Sequence, residues 1–287
     1  MPARRVDGAA FVAQFERDQI LDAGTLSYPC LVRSIDQIRT RKMEQVGHLM
    51  ARPGMYATHG RELQGVAQGL LDDLCFIDER DNDAEAVGAA LHRYGKLGVA
   101  GAFEAVFGGD CSYVAEVASI FAEEFHRLGY LEVGRRLSMS DWESVCDGLR
   151  DTFEELDVRQ SEVTQRLGEP TLVVDKRVSC YVSEQADSAW LFFDFWEDPA
   201  VIYEPGEGRF GRVGPNDDPL LRDIRVPGES FDASLVLSLY GKVLRWGPGW
   251  WLRHPSVRVT QRPPGVREQL TDIDNADPSQ SLGPRRP

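Results

Sequence analysis

Ala189-Trp190-Leu191-Phe192-Phe193-Asp194-Phe195-Trp196 is the most hydrophobic run in the chain. Read as an extended strand, it turns Leu191, Phe193 and Phe195 to one face and Trp190, Phe192, Asp194 and Trp196 to the other. A strand with aromatics on both faces is central to a sheet and covered on both sides. Asp194, at its middle, must then find hydrogen-bond partners or a cleft, and Arg245 or Lys242 can supply the cation. Two roles stay open for it: a satisfied core carboxylate, or the base of an aromatic-lined pocket.

The segments around this run are also β-prone. Thr171-Leu172-Val173-Val174 and Val178-Ser179-Cys180-Tyr181-Val182 flank the turn Asp175-Lys176-Arg177, and Val201-Ile202-Tyr203 reads as another short strand. Residues 204–230 are rich in Gly, Pro and Asp and read as loops, with Arg222 to Val226 an edge strand because Pro227 follows it. The apolar stretch Ser234 to Leu244 fits helix or strand equally well. Trp250 to Leu252 and Val257 to Thr260 read as a final strand.

Upstream the apolar residues keep a period near 3.6. Helices are predicted over Gly8–Asp22, from Ser34 to Pro53, over Glu62–Ile77, Ala84–Tyr94, Ala102–Phe107, Ser112–Leu128, Ser140–Leu156 and Ser161–Leu167. In the second of these, Ile35, Ile38, Met43, Val46, Leu49 and Met50 mark the apolar rhythm; in the third, Leu63, Val66, Ala67, Leu70, Leu71 and Leu74 do. Ser140 and Glu143 have capping-box spacing, and Asp78 to Asp83 reads as an acidic loop capping the next helix. The fold expected is α+β, an all-helical N-terminal half beside a small, mainly antiparallel sheet. Its divisions are a helical domain over 1–160, a β-rich domain over 161–260 and a disordered tail over 261–287.

The 287 residues carry a net charge of −14. Residues 61–160 hold 9 Lys or Arg against 21 Asp or Glu, so −12 of that charge lies in one helical stretch. Such a surface repels phosphate backbones, which speaks against nucleic acid as a partner and for a basic protein. No apolar run approaches the roughly 18 residues a membrane span requires. No leader-type apolar region follows the basic residues at the N-terminus. Cys30, Cys75, Cys111, Cys146 and Cys180 are scattered, with no CxxC pair, as expected of reduced thiols in a cytoplasmic protein.

Motifs of catalysis are missing. The five histidines form no HExxH, HxH or i,i+4 pair, so no metal site is expected; no GxSxG elbow and no phosphate loop is present. Arg52-Pro53-Gly54-Met55-Tyr56 resembles the RPGMY segment of the gyrase B family of ATPases. Leu70-Leu71-Asp72-Asp73 falls where that family carries its catalytic Glu and magnesium-binding Asn. At the matching positions this chain has Gly69 and Asp73, which removes the general base and alters the metal ligand. The DxGxG segment and the glycine-rich lid are absent as well. The expectation is no ATP binding and no cofactor, with Pro53-Gly54 a turn onto which Met55 and Tyr56 pack back.

The tryptophans carry the remaining signal. Trp190, Trp196, Trp246, Trp250 and Trp251 all lie in the C-terminal half, and the rigid Gly247-Pro248-Gly249 turn presents Trp250 and Trp251. An exposed indole there marks a contact surface. The sequence thus favours a non-enzymatic protein-binding module of immunity, antitoxin or adaptor type, with Trp250, Trp251, Asp194, Trp190 and Trp196 as candidate site residues. The alternative is an enzyme or small-molecule binder using an aromatic-lined cleft in the C-terminal half.

Overall fold

The structure, a computed structural model, describes residues 35–109, 111–153, 157–185, 190–196, 199–202, 212–215, 217–228 and 230–246. The expected helix over Gly8–Asp22, the final strand, the 261–287 tail, Cys30, Trp250 and Trp251 lie outside these residues. The chain divides into two compact units, Met1–Lys42 and Met43–Pro287. In the first, the described residues are the opening turns of α1 (Ile35–Ala51), where Ile35 and Ile38 are exposed. The rest of α1 belongs to the second unit and buries Val46, Leu49 and Met50.

The helical half of the second unit follows its apolar periodicity. After a 3-10 turn at Pro53–Met55, α2 (Gly60–Ile77) buries Leu63, Ala67, Leu70, Leu71 and Leu74, a stripe at i, i+4, i+7, i+8 and i+11. Val66 falls off that stripe, and Met55 is 76% exposed instead of packing back, while Tyr56 does rest on the core. α3 (Asp81–Leu91) begins inside the acidic run expected to be a loop. Asp81 and Asp83 sit in its first turn, where the helix dipole favours negative charge, and Arg80 Nε donates to Asp83 Oδ2 at 2.6 Å. A 3-10 turn (His92–Tyr94) leads to α4 (Gly98–Phe107) and then to α5 (Val114–Arg127). α5 is buried on nearly every side, including Glu116, Ser119 and Glu124.

α6 (Met139–Phe153) and α7 (Gln160–Leu167) complete the helices before the sheet. The capping residue of α6 is Ser138, two positions before the expected Ser140: its Oγ accepts from Asp141 N at 3.2 Å and donates to Asp141 Oδ2 at 2.7 Å.

The C-terminal part is a five-stranded antiparallel sheet in the order β1-β2-β3-β6-β7. Its strands are β1 (Leu172–Val174), β2 (Val178–Tyr181), β3 (Leu191–Trp196), β6 (Leu220–Arg225) and β7 (Leu235–Leu237). β4 (Pro199–Ile202) and β5 (Arg212–Pro215) pair as a separate antiparallel ladder. Asp175 and Lys176, both at positive φ, make the β1–β2 turn predicted at that place. The fold is therefore α+β.

β3 is interior, flanked by β2 and β6, and both of its faces are covered. Leu191, Phe193 and Phe195 face Trp142, Leu149 and Phe153 of α6 and Val163 of α7. Phe193 meets Phe153 and Tyr181 edge-on, with centroids 5.4 Å apart in each pair. Trp190 and Phe192, on the opposite face, join the helical core with Phe121 and Phe125 of α5. The sheet thus lies between two helical layers.

Two sequence expectations change here. β6 is an interior strand, not an edge: it is buried throughout and pairs with β3 and β7, and Pro227 lies past its last ladder position. Ser234–Leu244 is both helix and strand. A single turn, α8 (Phe231–Ser234), precedes β7, and α9 (Leu239–Trp246) follows it after Ser238.

The ladder between β3 and β6 carries a bulge. Asp194 pairs with Asp223, but Phe195 pairs with Leu221, so Arg222 is an extra residue. Strict alternation would send its side chain to the face of Leu221; the bulge turns it to the face of Asp194. The bulge carbonyl, Arg222 O, accepts from Ser238 N at 3.2 Å and Ser238 Oγ at 3.0 Å. Ser238 Oγ in turn accepts from Gly241 N at 3.0 Å and so caps α9. A β-carbon at position 241 would overlap Arg222 O. Gly241→Ala is therefore expected to lose about 1–3 kcal/mol of stability in urea unfolding, a large penalty for one added methyl group.

Candidate functional site

Asp194 is fully buried, and the cations described around it are Arg222, Arg177 and Arg225, while Arg245, suggested by sequence, pairs elsewhere. Arg245 lies 3.8 Å from Asp232 at the surface. Asp194 Oδ2 accepts from Arg222 Nη2 at 2.8 Å, Oδ1 accepts from Arg177 Nε at 3.3 Å, and Arg225 Nη2 lies 4.0 Å away. Arg222 Nε donates to Asp223 Oδ2 at 2.7 Å, and its Nη2 reaches Glu116 Oε1 of α5 at 3.0 Å. Arg177, from the β1–β2 turn, also pairs with Glu116. Three guanidinium groups and three carboxylates thus meet between α5 and the sheet, balanced in formal charge.

The register forces this arrangement. Asp194 and Asp223 stand directly opposite across β3 and β6, where like charges repel, and Arg222 bridges them because the bulge aims it there. The aromatic rings complete the cage. Arg222 lies 4.2 Å from the Phe107 centroid and 4.9 Å from that of Trp196, which also stacks under Arg177 at 4.2 Å.

The two inner acids respond differently. Burial pushes Asp194 up to about 7 against the pull of Arg222 and Arg177, helped by Glu116 and Asp223. Burial also opposes charge on Glu116, but Arg177 and Arg222 outweigh it and hold that carboxyl below its ordinary range. Both acids share Arg177 and Arg222; what sets Asp194 apart is a second carboxylate, Asp223, directly across the strand pair.

Beside this network lies a cavity of about 30 Å³. Its aromatic wall is Tyr94, Trp190, Phe192 and Phe231; its charged groups are Arg93, Glu123 and Arg225. Tyr94 and Phe231 approach with centroids 5.7 Å apart, and Trp190 packs at 5.9 Å on Phe192 and 5.5 Å from the His126 ring. Arg225 separates the cavity from Asp194. Its guanidinium lies 4.5 Å from the Phe192 centroid, and Nη2 donates to Ser119 Oγ at 3.0 Å. Burial pushes Glu123 up to about 7, against the pull of Arg93, whose Nη2 is 3.8 Å from Glu123 Oε2. Glu123 Oε1 accepts from Trp190 N at 3.4 Å.

Of the residues singled out from sequence, Trp190 lines the cavity, Asp194 lies behind Arg225, and Trp196 stacks on the arginines of the network. The groups that sequence reasoning missed are Arg93, Glu116, Glu123, Arg177, Arg222, Asp223 and Arg225. One signal for them was present: Leu220-Leu221-Arg222-Asp223-Ile224-Arg225 places opposite charges inside an apolar strand, as Asp194 does in its own. Among the described residues no cluster of three or more His, Cys, Asp or Glu could hold a metal ion, and no helix is long and apolar enough to cross a membrane. Cys75 and Cys180 are buried free thiols, and burial pushes both upward. Comparison with protein families, curated proteins and solved structures finds no match for the chain.

Two outcomes are expected. Arg222→Leu removes the bridge between Asp194 and Asp223 and leaves Asp223 with Arg225 Nε, at 3.8 Å, as its nearest cation among the described residues, so urea unfolding should register a loss of about 3–5 kcal/mol. Glu123 holds a proton in the folded state that the unfolded chain releases at lower pH, so its contribution to stability falls as pH rises toward 7. The melting temperature of the wild type should accordingly drop relative to Glu123→Gln between about pH 5 and about pH 8. Parallel melting curves for the two proteins would refute this.

Proposed function

We propose that this chain is a non-enzymatic binding module of the immunity, antitoxin or adaptor type, and that its recognition site is the aromatic cavity beneath Trp190 and Phe231. The observation that carries the reading is the contrast between its two polar clusters. Asp194, the acid best placed by sequence for chemistry, is enclosed by three arginines and has no exposed surface. The cavity next to it combines aromatic walls with charged groups, the composition of a recognition pocket.

The concentrated acidity of residues 61–160 supports a basic protein as the partner, since complementary fields steer association. Trp250 and Trp251, which follow Gly247-Pro248-Gly249 in the sequence, remain candidate contact residues on sequence grounds. The aromatic wall of the cavity favours a second reading, a small-molecule binder using the same seat.

Filling the seat tests both. Ser234 lines the cavity and is half-buried. Affinity capture from host extract, or binding of a small-molecule panel, should lose its ligand with Ser234→Phe while the circular-dichroism spectrum and cooperative melting are retained. Equal capture by the folded variant and the wild type would place recognition elsewhere and overturn the proposal.

A further inference from the structure

We infer that the groove between α6 and α7 is a binding site for a phosphomonoester on a small organic body, held by Arg135 and Arg166. This site is separate from the cavity beneath Trp190 and does not rest on the reading of that cavity. The groove has a volume of about 420 Å³, within the range of pockets that hold small molecules. One wall is a single face of α6, with Asp141, Ser144, Val145, Gly148 and Thr152 at helical spacing. Arg166, Leu167 and Gly168, at the end of α7, supply the other, and Arg135 and Leu137 complete the lining. Leu137 is fastened to the chain beyond β2: its N donates to Val182 O at 2.8 Å, and its O accepts from Glu184 N at 2.9 Å.

Arg135 is held with one edge open. Its Nη1 donates to Leu167 O at 2.9 Å and to Glu169 O at 3.0 Å, which uses both Nη1 hydrogens. Gly168, at a φ of 77°, permits the approach, since a β-carbon there would overlap Nη1. Nε and Nη2 have no acceptor among the described residues. These two nitrogens share one edge of the guanidinium, and their parallel N–H bonds take two oxygens of a single oxyanion. Arg166 is the second cation. Its guanidinium lies 5.8 Å from the Phe153 centroid and has no carboxylate partner among the described residues. The hydroxyls of Ser144 and Thr152 also line the groove without a hydrogen-bond partner. Asp141 is the one acid among the described lining residues; it is engaged by Ser138 Oγ at 2.7 Å, about three helical turns from Thr152. Two cations suit a phosphomonoester, with about 1.5–2 negative charges and three terminal oxygens, better than a singly charged carboxylate. Leu137, Val145 and Phe153 give the organic body an apolar surface. The net charge of −14 repels such a ligand at long range, so binding depends on these contacts and not on the overall field.

Calorimetry on the full chain tests this with phenyl phosphate, its neutral counterpart phenol and its carboxylate counterpart benzoate. Phenyl phosphate is expected to bind at least about tenfold more tightly than either. Gly148→Leu fills the groove from the α6 side. The nearest atom to a β-carbon at 148, outside the local backbone, is Thr152 Oγ1 at an ordinary 3.7 Å, and leucine is the better helix former. The variant should lose phenyl phosphate binding while its melting temperature holds or rises. Arg166→Gln should weaken binding about tenfold with unchanged melting. Arg135→Lys keeps the charge but gives up the parallel donors, so it should weaken binding too. Because Arg135 also holds the end of α7, Gly148→Leu and Arg166→Gln are the deciding variants. Absence of phenyl phosphate binding, or equal binding by wild type and folded Gly148→Leu, would overturn the site. Benzoate binding as tightly as phenyl phosphate would overturn the phosphate assignment. A tripeptide carrying phosphoserine that binds more tightly than phenyl phosphate would overturn the small-molecule body and assign the phosphate to a modified protein. Ser234→Phe, in the other cavity, should leave phenyl phosphate binding unchanged, so the two sites stand or fall separately.

Discussion

Arg222 holds the structure to one arrangement. It is an extra residue in β6, its side chain bridges Asp194, Asp223 and Glu116, and its carbonyl receives Ser238. One residue therefore joins β3, β6, α5 and the start of α9. Burying six charges is not an efficient source of stability, because well-packed apolar residues of the same volume often do as well or better. What the network supplies is register. A one-residue slip of β6 would turn Arg222 toward Trp142 and Phe153 and leave Asp194 without its closest donor.

The cavity depends on the same feature. Arg225 shares a face with Asp223 because the strand alternates normally after the bulge, and that alternation brings its guanidinium beside Phe192 and Ser119. The network and the cavity are two ends of one polar layer, separated by Arg225. At one end the arginines are matched by acids. At the other, Nη1 of Arg225 lacks an acceptor, and the lining acid, Glu123, resists ionisation.

The fold was legible where packing follows local periodicity. The stripes of α2 and α5 and the two-sided aromatic pattern of Leu191–Trp196 were enough to predict a helical half and a central strand. β6 was misread because Arg222, Asp223 and Arg225 look like surface residues until their partners are known, and Glu116 and Asp194 lie 106 and 28 residues away from Arg222. No window of sequence contains that information. Ser234–Leu244 stayed ambiguous because the change from strand to helix turns on Ser238, whose role depends on a bulge in another strand. Of the site, Trp190 and Asp194 were visible as anomalies in an apolar run, while Glu123 and Arg93 were hidden in an otherwise acidic helical region.

The 106-residue separation between Glu116 and Arg222 also bears on how the protein is made. At about 5–20 residues per second, Arg222 is added some 5–20 s after Glu116 on a translating ribosome. Early in that interval α2, α4 and α5 lack the strand residues that share their core, such as Val178 and Phe192, and the inner face of α5 carries an acid whose first arginine partner, Arg177, follows 61 residues after it and whose second, Arg222, comes last. Full closure of the helical layer must wait for the strands, so the nascent helices stay open on the side where the sheet will dock. A chain with so acidic a first half is well suited to that delay, since like charge keeps neighbouring nascent chains apart until the arginines arrive.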